Sequence, residues 1–182
     1  MANSAFAQFL SDTSEKHLQH NRKLIGYLLH GYTDEKSFAV SVPDNASGVV
    51  LLQAIKRMKQ VVEIDCKGID AITHRHTFAR VNASTDLVVL HRLPKDYNEN
   101  DFAHLVKNGV AVESIIPYNM PSFHHPKIMC MGDYAISPVM QKINLTVTDD
   151  YDFVYQYFFA SWREEEWNLF YREMAGCVRE WL

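Results

Sequence analysis

Between Tyr118 and Tyr134 the sequence reads YNMPSFHHPKIMCMGDY, which crowds two prolines, two adjacent histidines, a cysteine and a glycine between two apolar, strand-like runs. A cysteine acts as a nucleophile only as its thiolate, which needs a nearby base or a stabilising charge. His124 and His125 stand across Pro126 from Cys130 and are the candidates for that role. Cys130 lies in KIMCM, two residues before Gly132, at the end of an extended run and just ahead of a turn. Such a position can present sulfur to solvent while its neighbours hold the backbone. The alternative is a thiol that serves as a small buried hydrophobe.

Histidine forms the second constellation, with nine in the chain. His74 and His76 project from one face of an extended segment, because side chains alternate along a strand. His91, on the next apolar run, falls near them in a hairpin, and three imidazoles on one face could bind zinc or a related metal. No GxxxxGKS, GxGxxG or GxSxG pattern occurs, so neither a glycine-rich phosphate cradle nor a nucleophile elbow is expected. No cofactor is expected from any other motif.

The pattern in MPSFHHPKIMCMGDYAISP, a proline, an aromatic, a short linker and then apolar-Cys-apolar-Gly, resembles the active-site segment of bacterial ubiquitin-conjugating-enzyme-like proteins. The later FFASWREEEW is similar to the FF-x-S segment that trails the cysteine in some of them. The resemblance covers residues 117 to 162. It implies that Cys130 accepts the C-terminus of a ubiquitin-like protein as a thioester, with Asn119 or His125 supporting the oxyanion that forms during transfer. It also implies two partners, a ubiquitin-like modifier and its activating enzyme. Eukaryotic members place His-Pro-Asn and a glycine-containing turn before the cysteine; here His125-Pro126-Lys127 stands three residues from Cys130 with no glycine between. A reading of another class is a non-catalytic phage or plasmid accessory protein whose aromatic C-terminal helices form a protein interface.

The elements that would position these residues follow from periodicity and punctuation. Phe6, Phe9 and Leu10 share one side of a helix within residues 3 to 20. The runs KLIGYLLH (23 to 30) and SFAVSV (37 to 42), separated by a polar link, read as an antiparallel hairpin. Leu51, Leu52, Ile55, Met58 and Val62 recur at helical steps behind a cap at Asn45 or Ser47. The segment EIDCKGID then reads as a loop or short irregular strand. THRHTFARV (73 to 81) and LVVLHRL (87 to 93) flank NASTD and read as a second hairpin.

Asn98 or Asn100 can cap a short helix through Phe102, Leu105 and Val106, ended by Gly109, and Val110 to Ile116 returns as a strand. INLTV (143 to 147) alternates like a strand, and a helix can start at Asp149 or Asp150. The stripe Trp167, Phe170, Tyr171, Met174, Val178 and Trp181 has helical spacing and reads first as a core face. Strands in the middle and helices at the ends predict an α+β fold: a mainly antiparallel sheet with helices packed on one face and a helical C-terminus. With no repeat or linker composition, residues 1 to 182 read as a single domain.

Composition narrows the function classes. The chain is 47% hydrophobic and 22% charged, which is globular composition. A net charge of -4 argues against nucleic acid as partner, because phosphate binding needs clustered cations. Three widely spaced cysteines suggest reduced thiols in a cytoplasmic protein rather than a disulfide framework. No run approaches the ~18 apolar residues of a membrane span, and no basic n-region precedes the first apolar segment.

Overall fold

A computed structural model describes residues 4–31, 37–67, 77–94, 96–112, 122–134, 138–148 and 158–182. In chain order the elements are α1 (Ala5–Ser14), a 3-10 turn (Glu15–His17), α2 (Leu18–Leu29), β1 (Ala39–Val42), α3 (Ala46–Lys56), β2 (Val61–Asp65) and β3 (Leu87–His91). They continue as α4 (Glu99–Asn108), β4 (Val110–Val112), β5 (Ser122–His124), β6 (Lys127–Met131), β7 (Met140–Lys142) and α5 (Glu164–Trp181). The chain forms two compact units, one from Met1–His30, Val42–Met58 and Ile143–Leu182, the other from Gly31–Ser41 and Lys59–Lys142.

The second unit carries the sheet, in the order β2-β3-β6-β1-β7, and all five strands run parallel. This corrects the expected antiparallel sheet. The physical cause is visible in the strands themselves: Leu87, Val88, Val89 and Leu90 have no exposed surface, nor have Met129, Cys130, Ala39 and Val40. A strand buried on both faces reads as a continuous apolar run, the signature of a parallel sheet, whereas a hairpin with one wet face alternates. Neither expected hairpin forms. KLIGYLLH belongs to α2, and LVVLH pairs in parallel with β2 and β6. Of EIDCKGID, expected as a loop or short irregular strand, Glu63–Asp65 end the regular strand β2. Among the described residues only β4 and β5 pair antiparallel, Val110 opposite His124.

The helix expected through Met58 and Val62 ends at Lys56, and Val62 stands in β2 instead. The start of the helix expected at Asp149 or Asp150 lies outside the described residues, whereas several caps match their sequence signals. Asn45 caps α3, its side chain accepting from Gly48 N at 2.9 Å. Asn98 caps α4, accepting from Asn100 N at 2.9 Å and Asp101 N at 3.2 Å, and Gly109 ends it at φ 76°. An Asn98→Ala variant should lose about 1 kcal/mol of stability, the usual worth of an N-cap. Thermal unfolding would read this as a drop of about 3 °C.

The first unit is helical. Phe6, Phe9 and Leu10 of α1 are buried as expected. Phe170 of α5 sits at the centre of an aromatic cluster, 5.2 Å from Phe6 and 5.8 Å from Phe159 between ring centres. Glu166, in the first turn of α5, accepts from Ala5 N at 2.6 Å, so the acidic start of α5 also ties down the start of α1.

The expected strand at INLTV is absent: residues 143 to 148 are irregular. Their backbone groups find partners elsewhere. Asn21 acts as a surrogate peptide, donating to Asn144 O at 2.8 Å and accepting from Asn144 N at 3.1 Å. Ser47 donates to Thr146 O at 2.9 Å, and Thr146 N donates to Thr13 O at 2.7 Å. The side chains of Asn21 and Ser47 and the Thr13 carbonyl thus provide what a neighbouring strand would.

Candidate functional site

Cys130 occupies the centre of the sheet. It lies in β6 opposite Leu90 of β3, with no exposed surface, in a core that includes Ala39, Ile64, Cys66, Val88, Leu90, Ile128 and Met140. Burial pushes its thiol far above the ordinary range, and Cys66 adds in the same direction. Burial likewise raises Cys66 and Cys177 to about 11. A thiolate is the nucleophile, and the sheet interior disfavours it.

The imidazoles stand at the other end of the strand. His124 ends β5 and donates from Nε2 to Thr85 O at 2.5 Å. His125 is exposed, and its Nδ1 lies 2.8 Å from where a Cβ on Gly109 would sit. Three extended residues from Lys127 to Cys130 span about 10 Å at the rise of a strand. The histidines therefore flank the amino end of β6 while the thiol approaches its carboxyl end. Asn119 lies outside the described residues.

The metal constellation is likewise divided. His74 and His76 lie outside the described residues. His91 ends β3 and donates from Nε2 to Glu63 Oε2 at 2.9 Å. Among the described residues no group of three His, Cys, Asp or Glu is placed to hold a metal ion. The C-terminal aromatic stripe packs inward through Phe170 and Met174, which have no exposed surface; Tyr171 points outward.

A different set of polar residues gathers where the parallel strands end. Asp65, His91 and Met131 lie in one register row across β2, β3 and β6, and Ser41 of β1 lies level with Lys142 of β7. Ser41 Oγ donates to Gly132 O at 2.8 Å, which aligns the end of β1 with that of β6. The carboxyl ends of the sheet thus form one edge. Arg92, just past β3, reaches Asp65 with Nε at 2.9 Å and with its terminal nitrogen in a second bond. Lys142 reaches Asp133 beyond β6.

Two backbone features mark this edge. Arg92 holds φ 53°, a left-handed conformation that costs a side-chain-bearing residue about 1–2 kcal/mol. Gly132 holds φ 145°, and a Cβ there would lie 2.8 Å from the Tyr134 ring, so the turn needs glycine. Tyr134 folds back to donate from its hydroxyl to Met131 O at 3.1 Å. Its ring meets that of Tyr97, from the loop after β3, at 6.5 Å in an edge-to-face contact. Loops after β3 and β6 therefore converge on this edge.

Topology singles out one point along it. β6 and β1 are neighbours, yet the chain leaves β6 for β7 on the far side of β1 and leaves β1 for β2 at the opposite margin. Connections that depart in opposite directions open a crevice between two carboxyl ends, the place where open parallel sheets receive ligands. Ser41, Gly132, Asp133, Tyr134 and Lys142 stand there. Sequence reasoning missed them because an ion pair such as Asp133 with Lys142 has no sequence pattern of its own. The available signal was that several apolar runs end in polar or charged residues: VVEID in Asp65, LVVLHR in Arg92, KIMCMGD in Asp133.

No family model matches the chain, and no curated protein matches it. No helix among the described residues is long and apolar enough to cross a membrane.

Proposed function

We propose that this chain is a cytoplasmic ligand-binding protein whose site is the carboxyl edge of its parallel sheet at β6 and β1. The observation that carries this reading is that the connections from these two parallel strands leave in opposite directions along the sheet, beside Ser41, Gly132, Asp133 and Lys142. The converging tyrosine loops support it, since small-molecule sites combine aromatic walls with a few placed polar groups. Three free, buried cysteines accord with a reducing compartment.

Burial of Cys130 weighs against the thioester reading, because an acceptor cysteine must meet both a modifier's C-terminus and an activating enzyme. The sheet topology offers a binding place that does not depend on it.

A library of small fragments screened against the isotopically labelled full chain tests the proposal. Backbone amide shifts from bound fragments should concentrate on Gly132 to Tyr134, Ser41 and Arg92. Fragments that bind reproducibly elsewhere and never move those amides would count against it.

A further inference from the structure

We propose that the ligand received at this edge is anionic, and that its charged group replaces the Asp133 carboxylate on Lys142. The inference rests on the carboxyl edge being the binding site and adds the chemistry of what binds.

The two partners of this ion pair are unequally sheltered. The Lys142 side chain is 27% exposed, that of Asp133 79%. A partly sheltered lysine side chain has few alternative positions, so its ammonium stays at this edge. A carboxylate that remains mostly in water loses little by leaving, since exposed ion pairs contribute weakly. Lys142 is therefore the fixed member and Asp133 the replaceable one. A ligand oxyanion with two charges, as on a phosphate group, attracts the ammonium more strongly than a single carboxylate at the same distance.

Arg92 stands apart from this pair, its guanidinium held through two nitrogens by Asp65 of β2, on the far side of β3 from β6 and β1. The residue follows His91, whose register partner is Met131, so Arg92 and Gly132 leave adjacent strand ends about 5 Å apart. The cation that reaches the Gly132–Asp133 turn is Lys142, from across β1. The acids that face these groups are already engaged: Asp65 with Arg92, and Glu63 with His91.

Titration of the labelled full chain with sodium pyrophosphate at constant ionic strength tests the inference, with sulfate, a dicarboxylate and calcium chloride as separate arms. The amides of Gly132, Asp133 and Lys142 should move saturably with pyrophosphate. Lys142→Met should weaken that binding tenfold or more. Asp133→Asn should tighten it several-fold by removing the resident counter-ion, whereas a purely structural role for Asp133 predicts no gain. Sulfate or the dicarboxylate acting as well as pyrophosphate would fix the ligand as anionic without a phosphate preference.

Several results would overturn the proposal: no saturable shift with any anion, a response to calcium alone, or binding indifferent to Lys142→Met in a variant that keeps native amide dispersion. If neutral fragments move these amides and anions do not, the anionic ligand fails while the binding edge stands. If nothing moves them, both readings fail.

Discussion

In the native protein, Cys130 should react with a small alkylating reagent roughly 10³ to 10⁶ times more slowly than a free thiol, at a rate set by the unfolded fraction of the chain. Its side chain has no exposed surface, and the surrounding sheet raises the free energy of its thiolate. Reagent must wait for β6 to separate from its neighbours. Cys66 and Cys177, buried at 1% and 0% exposure, should share this protection. Mass spectrometry after native and denaturing exposures separates the three sites. Stoichiometric labelling of native Cys130 on the timescale of a free thiol would restore it as a nucleophile.

Substitution gives a second reading of the same fact. Cys130→Ser places a hydroxyl in the sheet core and should cost about 1–3 kcal/mol when left unsatisfied, and more than Cys130→Ala. The thiols also make stability fall at alkaline pH. Folding holds the Cys66 proton to about 11 against an ordinary 9.0, so the unfolded chain releases its proton first. Stability is full below 9.0 and declines as pH rises toward 11.

What the sequence disclosed follows from which interactions are local. Caps and terminators act within four residues, so each cap was legible to within a pair, Asn45 or Ser47 and Asn98 or Asn100, of which the first of each caps. Gly109 and the buried face of Phe6, Phe9 and Leu10 were legible too. Strand pairing is not local. LVVLH was recognisable as a strand, but its partners Val61–Asp65 and Lys127–Met131 are joined to it by long connections, and only burial on both faces selects the parallel arrangement. KLIGYLLH shows the other limit, because a short apolar run fits a strand and a buried helix equally well.

The candidate site divides along the same line. Crowding of His124, His125 and Cys130 in sequence suggested proximity, but an extended β6 sends the imidazoles and the thiol to opposite ends. The residues that meet in space, Asp133 and Lys142 or Asp65 and Arg92, are brought together by parallel register. Once the strands are known to be parallel, the polar residues ending each run become neighbours along one edge. Without that knowledge they are ordinary surface charges.

Gly26→Ala should destabilise the protein by about 3 kcal/mol, the upper range for forcing atoms into a packed interface. A Cβ at Gly26 of α2 would lie 2.1 Å from the Cys177 carbonyl oxygen of α5, 2.7 Å from its carbon and 3.0 Å from Trp181 Cβ. The first two obstacles are helix backbone and cannot rotate aside. Relief requires α2 and α5 to separate, which strains contacts on both sides of the crossing. Arg22 pairs with Glu173 and with Glu180, the latter at 2.7 Å; Tyr27 meets Trp181 at 5.1 Å, and His30 stacks on Trp181 at 5.9 Å.

Alanine gains about 1 kcal/mol of helix propensity over glycine, so the observed sign decides which effect dominates. Gly176→Ala supplies the internal control. Its Cβ would meet only the end of the Arg22 side chain, at 3.0 Å, and a flexible guanidinium can yield a few tenths of an ångström. That variant should therefore match or exceed the parent in stability, while Gly26→Ala should unfold about 6–12 °C lower. Equal stability of the two variants would mean that the helices do not cross at Gly26 with backbone in contact. The stated difference would locate the tightest constraint of the helical unit in a residue with no side chain.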